Sequence, residues 1–130
     1  MKRDFLDLIK TLGDPTRMRI VHLIDQCGPE ICVCDMSAVL DLPQSTISRQ
    51  LMRLRSSRIV MDSRDCMWVN YAIDNSKNEL RDDLFAVMRK VWATDPDLQA
   101  DKKKFEKLHS EQKIVRCKRP AKASGAKAAL

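Results

Sequence analysis

Two cysteines stand two positions apart in the segment Ile31-Cys32-Val33-Cys34-Asp35. Thiolates are soft ligands that select soft metal and metalloid centres, so this pair is a candidate binding site for such an ion. Side chains at i and i+2 point about 200° apart in an α-helix but share one face of an extended segment. Both thiols can therefore hold one atom only where the backbone is not helical, and we expect binding to unwind or distort the start of the helix that follows.

The other three cysteines are Cys27, Cys66 and Cys117. No apolar stretch approaches the roughly 20 residues that span a membrane, and the N-terminus lacks the apolar run of a secretory signal. We therefore expect a cytoplasmic protein without a membrane partner. In that reducing compartment, five cysteines indicate thiols or metal ligands rather than a disulfide framework.

The net charge of +6 is concentrated at the C-terminus, because residues 113–130 contain six basic residues and no acidic one. With its Ala, Gly and Ser content, this segment is predicted to be a disordered tail and at most an unspecific phosphate binder. Residues 1–112 are predicted to form a single domain with balanced charge. Within it, residues 44–61 contain four arginines and no acid, namely Arg49, Arg53, Arg55 and Arg58.

Helical periodicity predicts six helices. Gly13 ends the first, Asp14-Pro15 begins the second, and Asp41-Leu42-Pro43 separates the third from the fourth. Their apolar residues are, in order, Phe5, Leu8, Ile9 and Leu12; Met18, Val21 and Ile24; Met36, Val39 and Leu40; Ile47, Leu51 and Leu54; Leu80, Leu84, Val87, Met88, Val91 and Trp92; and Leu98, Phe105 and Leu108.

Between the fourth and fifth helices the period changes to two, over residues 59–63 and 67–73. This pattern predicts a β-hairpin whose tip spans residues 63–66 and carries Arg64, with Trp68 and Tyr71 in the core of the wing. The fold class is therefore mainly α with a β-hairpin wing, a winged helix-turn-helix. The first and fifth helices have more apolar surface than a small core needs, so we expect a homodimer formed through them.

The outer face of the fourth helix has the donors and acceptors that a major-groove reader needs. Double-stranded operator DNA is therefore the expected partner, and Arg64 is expected to reach the adjacent minor groove or its phosphates. Gln44 is preferred to Gln50 as a reader of adenine, because Gln50 points partly sideways. The predicted DNA-binding residues are Gln44, Ser45, Thr46, Ser48, Arg49 and Arg64.

Residues 12–17 (LGDPTR), 31–36 (ICVCDM), 44–51 (QSTISRQL) and 68–71 (WVNY) together resemble the arsenical-resistance repressor family of metal-sensing regulators, ArsR/SmtB. The resemblance covers roughly residues 4–92. It implies a dimeric repressor that sits on its operator until an inducer binds. The nearest branch senses trivalent arsenic through a cysteine pair like Cys32 and Cys34, with no permanent cofactor.

Arsenite prefers three sulfur ligands, and the arsenic-sensing branch often has a third cysteine where this chain has Ser37. Cys27 is the preferred third ligand because it is close in the chain. Cys66, Cys117 and an external thiol remain alternatives. The resemblance also leaves open cadmium or lead as the inducer, and oxidation of the thiol pair.

Other classes of protein fit the sequence less well. A thiol metallochaperone or redox protein needs a βα alternation, and one hairpin is predicted here. Paired acids, a nucleophile triad and a glycine-rich phosphate loop are absent from the sequence, so we do not expect an enzyme. The zinc site common in the family needs His ligands on the fifth helix, whereas His22 and His109 lie elsewhere and apart. No protein partner other than a second copy is predicted.

Overall fold

A computed structural model describes residues 2–65 and 68–111, apart from the side chains of Asp65 and Trp68. The predicted helices are all confirmed, and the predicted tail, residues 113–130, lies outside the described residues. In chain order the elements are α1 (Arg3–Leu12), α2 (Pro15–Gln26), β1 (Ile31–Cys32), α3 (Val33–Leu40), α4 (Gln44–Ser56), β2 (Val60–Asp65), β3 (Trp68–Ile73), α5 (Glu79–Trp92) and α6 (Pro96–Ser110).

The junction of α1 and α2 follows the predicted capping chemistry. Asp14 has extended backbone angles, and its carboxylate accepts the amide N–H of Arg17 at 3.0 Å. Pro15 occupies the first helical position, where a missing N–H costs nothing. These two residues therefore fix where α2 begins.

The tandem helices α3 and α4 are joined by a short turn. Asp41 adopts a left-handed conformation with φ 59°, and Pro43 precedes α4. The carbonyl oxygen of Ser37 accepts the N–H groups of Asp41 at 2.9 Å and of Leu42 at 3.4 Å, which closes the end of α3. α4 then buries the predicted apolar side completely: Ile47, Leu51 and Leu54.

The sheet has three antiparallel strands in the order β1-β3-β2. The hairpin β2–β3 is confirmed, but β2 extends two residues further than predicted: Arg64 lies within β2 opposite Val69 rather than in the tip. Residues 66 and 67 lie outside the described residues. Strand β1 was not predicted, because two residues are too short to display a period.

The core lies between the sheet and the helices. Tyr71 is buried there as predicted, with Phe85 and Trp92 from α5. α6 packs against α2 and α3. It contributes Leu98 and Phe105 to the core, and these and the other core residues form one cluster.

Two helices keep apolar side chains on the surface. Val87 and Val91 on α5 are 58% and 57% exposed, and Leu80 is also exposed. On α1 the exposed apolar residues are Phe5, Leu6 and Ile9. Among the described residues, no helix combines the length and the apolar character that crossing a membrane requires.

Candidate thiol site and recognition helix

Cys32 and Cys34 lie on either side of the point where β1 gives way to α3. Cys32 directly precedes the helix and has extended backbone angles, φ −86° and ψ 161°, whereas Cys34 lies in the first helical turn. Their Sγ atoms are hydrogen-bonded at 2.8 Å. The change from strand to helix between the two residues thus brings the thiols together.

This arrangement differs from what the sequence predicted. The required non-helical backbone is present at Cys32, yet α3 begins at Val33 and is intact from there. The thiols are already in contact, so holding one atom between them does not require α3 to unwind.

A carboxylate lies beside the pair. One ligand atom from each of Cys32, Cys34 and Asp35 lies within 4.8 Å of the other two, and no other such group of three occurs in residues 2–65 and 68–111. Cys32 and Asp35 are buried, and Cys34 is partly exposed. Burial, the hydrogen bond to Cys32 and the nearby charges raise the pKa of Cys34 to about 12. At neutral pH Cys34 is therefore a protonated thiol, and a ligand that binds its sulfur must displace that proton.

Ser37, where the resemblance led us to look for a third cysteine, has a structural contact of its own. Its Oγ donates to the carbonyl oxygen of Leu42 at 2.5 Å, across the turn between α3 and α4. The same residue's carbonyl closes the end of α3. Ser37 thus stabilises the helix-turn-helix.

Cys27 follows α2 directly, and its amide N–H donates to the carbonyl of Leu23 at 2.9 Å. Its side chain is partly buried against the core. Cys27 is not a member of the group formed by Cys32, Cys34 and Asp35. The structure therefore does not bring this predicted third ligand to the thiol pair, and Cys66 and Cys117 lie outside the described residues.

The thiol pair is joined to both halves of the winged motif. Cys32 pairs with Asn70 of β3, and Ile31 pairs with Tyr71, so β1 extends the sheet of the wing. Cys34 belongs to α3, which packs against α4. The two cysteines therefore lie on elements that contact the wing and α4.

The predicted DNA-binding residues of α4 share its outer face. Gln44, Ser45, Ser48 and Arg49 are exposed, and Thr46 is partly exposed. No side chain caps the start of α4, where Pro43 precedes the first turn. Its first amide N–H groups and these polar side chains are therefore available to an external partner.

The arginines of residues 44–61 are not equivalent, although the sequence gives no sign of it. Arg53 pairs with Asp7 at 3.3 Å, and Arg55 pairs with Asp62 at 3.3 Å. Arg49 contacts Thr46 and pairs with no carboxylate among the described residues. Arg49 is therefore the arginine of α4 whose charge is not offset by a paired acid.

Arg17 has a positioning role that sequence reasoning missed. Its Nε donates to the carbonyl oxygen of Thr11 at 2.7 Å, and its Nη1 donates to Oε1 of Gln50 at 2.9 Å. Arg17 thus ties the end of α1 to the middle of α4. Gln50 is held by this contact, which supports the choice of Gln44 as the reader of adenine.

Neither histidine is a member of the group formed by Cys32, Cys34 and Asp35. His22 is fully buried in α2, with its ring edge-on to Trp92 at 5.2 Å between centroids. His109 lies on α6 and stacks on Phe105. Both therefore remain apart from the one candidate metal-binding group in the described residues.

Comparison with known proteins is consistent with this geometry. A family model described as bacterial regulatory protein, arsR family, matches residues 14–62. The chain is 43% identical over 68 residues to the arsenical resistance operon repressor of Escherichia coli K12, covering 52% of this chain and 57% of that protein. The chain thus spans little more than half the length of that relative.

A second relative is covered over most of its length. An uncharacterized HTH-type transcriptional regulator of Methanocaldococcus jannaschii is 35% identical over 75 residues, which are 57% of this chain and 83% of that protein. Among solved structures, the transcriptional repressor PagR of Bacillus anthracis superimposes with a TM-score of 0.52 at 26% identity, covering 65% of this chain and 92% of that one.

These similarities confirm the winged helix-turn-helix and the expectation of a regulator rather than an enzyme. The family match runs from the cap of α2 to the start of the wing and includes the thiol pair, Ser37 and the outer face of α4. The chain belongs to the arsR family of bacterial regulatory proteins.

Proposed function

We propose that the chain is a transcriptional repressor that binds double-stranded operator DNA as a homodimer and leaves it when trivalent arsenic binds Cys32 and Cys34. The observation that carries this proposal is the contact between the two Sγ atoms, 2.8 Å apart at the start of α3. The name of the Escherichia coli relative, arsenical resistance operon repressor, supports arsenite as the inducer. No permanent cofactor is part of the proposal.

The donor set suits such an inducer. Trivalent arsenic forms strong bonds to sulfur, and two thiols in contact can hold one atom without unwinding α3. Cys34 is partly exposed, so the pair is open to solvent on one side. Each thiol proton leaves as water with a hydroxide of arsenite, so the raised pKa of Cys34 does not prevent binding.

For the third bond to arsenic we keep Cys27 as a proposal, with Cys66, Cys117 and an external thiol as alternatives. The structure gives Cys27 little support, because it is not a member of the group around the pair. Substituting each cysteine in turn is the direct way to decide between them.

The outer face of α4 is proposed to read the major groove of the operator. Gln44, Ser45, Thr46, Ser48 and Arg49 offer donors and acceptors to base edges and phosphates. Arg64 is exposed on β2 and is proposed to contact the minor groove or its phosphates. A homodimer that uses the apolar surfaces of α1 and α5 would present two such faces to a two-fold operator.

Release is proposed to follow from the position of the pair between two DNA-binding elements. Drawing both sulfurs onto one atom changes the backbone at Cys32, which is paired with β3, and at the first turn of α3, which packs on α4. Either change alters how α4 and the wing sit relative to each other. A coupling of a few kcal/mol is enough to empty an operator.

The test uses DNA that the protein itself selects from a random library. Fluorescence anisotropy is expected to show that arsenite weakens DNA binding by about tenfold or more. The variant Cys32→Ser/Cys34→Ser should bind DNA with wild-type affinity, and arsenite should not change that affinity. A wild-type protein whose DNA affinity does not change with arsenite would contradict the proposal.

A second candidate input is oxidation of the same pair, which the contact between the two sulfurs favours. Peroxide would oxidise the two thiols to a disulfide and be reduced to water. Cadmium or lead is a third input, favoured by the carboxylate of Asp35 in the group. In the same assay, release by peroxide or by cadmium but not by arsenite would favour these alternatives.

A further inference from the structure

Seven large apolar side chains are exposed in residues 2–65 and 68–111, and six of them lie on α1 and α5. The proposed dimer accounts for those six. The seventh is Met52 on α4, which at 68% is the most exposed of the set. It neither belongs to the core cluster nor packs against it. Neither the core nor the proposed dimer therefore explains an apolar side chain at this position.

Met52 continues the outer face of α4. It follows Ser45 by seven residues, Ser48 by four and Arg49 by three, and all of these side chains are exposed. Residues at these spacings form one stripe along a helix. Helices that lie in the major groove can read bases with positions spaced i, i+3, i+4 and i+7. Met52 is therefore the fourth position of the stripe that the proposed function directs towards DNA.

An apolar side chain has one suitable partner in the major groove. The base edges there present hydrogen-bond donors and acceptors, and the C5-methyl group of thymine is the apolar group among them. Methionine is unbranched and polarizable, so its side chain can adapt to such a group. Contact between the two removes apolar surface of both from water, which is favourable.

We propose that Met52 is a specificity-determining residue that selects thymine at one base pair of each operator half-site through contact with the C5-methyl group. This inference rests on the proposed function, in which the outer face of α4 enters the major groove. Its other support is the place of Met52 in one exposed stripe with Ser45, Ser48 and Arg49. Those three side chains offer hydrogen bonds, so Met52 adds a preference that they do not supply.

Deoxyuridine tests this contact because it differs from thymidine only by the missing methyl group. The full chain first selects DNA from a random library, and each thymine of one half-site is then replaced in turn. Fluorescence anisotropy is expected to show one position where the replacement weakens wild-type binding by about fourfold, the value that burial of one methyl group predicts. At that position Met52→Ala should bind the thymine and deoxyuridine forms with equal affinity.

Met52→Leu is the matched control, because it keeps an apolar side chain of similar size. It should remain sensitive to deoxyuridine at the same position. Any effect of the missing methyl group on the DNA itself is common to wild type and variants, so it cancels in the double-mutant comparison. A wild type that is insensitive to every replacement would overturn the inference. The same holds if Met52→Ala is as sensitive as the wild type.

A second selection measures the base preference directly. Met52→Gln replaces the apolar side chain by an amide, which pairs with adenine rather than with a methyl group. DNA selected by this variant should lose the preference for thymine at the position that deoxyuridine identified. An unchanged preference for thymine there would also overturn the inference.

Two further measurements separate other causes. Because Met52 is exposed, all three variants should unfold at the wild-type urea concentration. A lower midpoint for Met52→Ala would mean that Met52 supports the fold, and this would count against the inference. By contrast, a wild-type protein that selects no DNA sequence from the library would contradict the proposed function itself.

Discussion

Position 37 illustrates how much one side-chain atom can decide. The oxygen of Ser37 donates a hydrogen bond to Leu42, and this contact holds the turn between the two helices of the DNA-binding motif. A sulfur there would be a poorer donor and a better arsenic ligand. The family resemblance drew attention to the serine at this position, whereas the hydrogen bond that its hydroxyl makes depends on where folding places Leu42.

His22 is a second residue whose environment matters more than its type. It is fully buried, and neither ring nitrogen has a hydrogen-bond partner among the described residues. Burial lowers its pKa from the usual 6.5, while the nearby charges of Asp101 and Lys102 act in opposite directions. The folded protein therefore holds His22 neutral at a pH where the unfolded chain binds a proton.

This difference predicts a loss of stability in acid. As pH falls below about 6.5, the unfolded state takes up a proton that the folded state does not, so the free energy of unfolding decreases by up to about 1.4 kcal/mol per pH unit. Urea denaturation between pH 7.5 and 5 measures this loss. His22→Phe should show a shallower decrease than wild type.

His109→Phe is the matched control, because His109 is exposed on α6. We expect the free energy of unfolding of His109→Phe to decrease with falling pH as steeply as that of the wild type. Equal slopes in the wild type and in His22→Phe would contradict the assignment of the pH dependence to His22.

At the scale of elements, periodicity predicted the long helices and the hairpin because each buries one face against the core. Ile47, Leu51 and Leu54 recur on one side of α4 for that reason. Strand β1 has no such signal: Ile31 and Cys32 are extended because they pair with Tyr71 and Asn70 of β3, which lie 40 and 38 residues later in the chain. The contact between the thiols depends on that pairing, so only the spacing of the pair could be predicted.

The ion pairs of the α4 arginines could not be predicted from the sequence either. Sequence proximity suggested a uniformly basic segment, but the acids that offset it come from α1 and β2, as Asp7 and Asp62. Such ion pairs join residues that are distant in the chain. They divide the arginines into paired and unpaired ones.

This division predicts different effects on DNA binding. Arg49→Gln should weaken DNA binding by about 1–3 kcal/mol and, if Arg49 contacts a phosphate, lower the slope of log K against log salt by about one. Arg53→Gln should have a smaller effect, because Arg53 is already paired with Asp7. Anisotropy titrations over a range of salt concentrations compare the two. Equal losses of affinity would show that the ion pair does not limit Arg53.

At the scale of the whole molecule, a single chain leaves apolar side chains of α1 and α5 exposed to solvent. Exposed Val87 and Val91 lie one helical turn apart on α5, where a contiguous apolar patch would favour association. A two-fold dimer would cover the same patch on both copies. It would also double the number of α4 helices that face the operator.

The dimer is tested by placing charge in this patch. Val87→Glu/Val91→Glu should turn a dimer into a monomer in sedimentation velocity, because a carboxylate buried without a partner costs several kcal/mol. The variant should also lose most of its DNA affinity. Ala93→Glu adds an acid to an exposed position at the end of the same helix and should remain dimeric. A wild-type protein that sediments as a monomer would contradict the proposed assembly.

The contacts of Arg17 have a consequence for redesign. This residue fixes α4 relative to the end of α1 through Thr11 and Gln50, and none of these residues belongs to the group around the thiols. One of the contacts that orient α4 therefore involves none of the residues proposed to sense the inducer. Exchanging the side chains of Cys32 and Cys34 would therefore change the proposed sensor and keep this contact, whereas an exchange at Ser37 would also remove the hydrogen bond across the turn between α3 and α4.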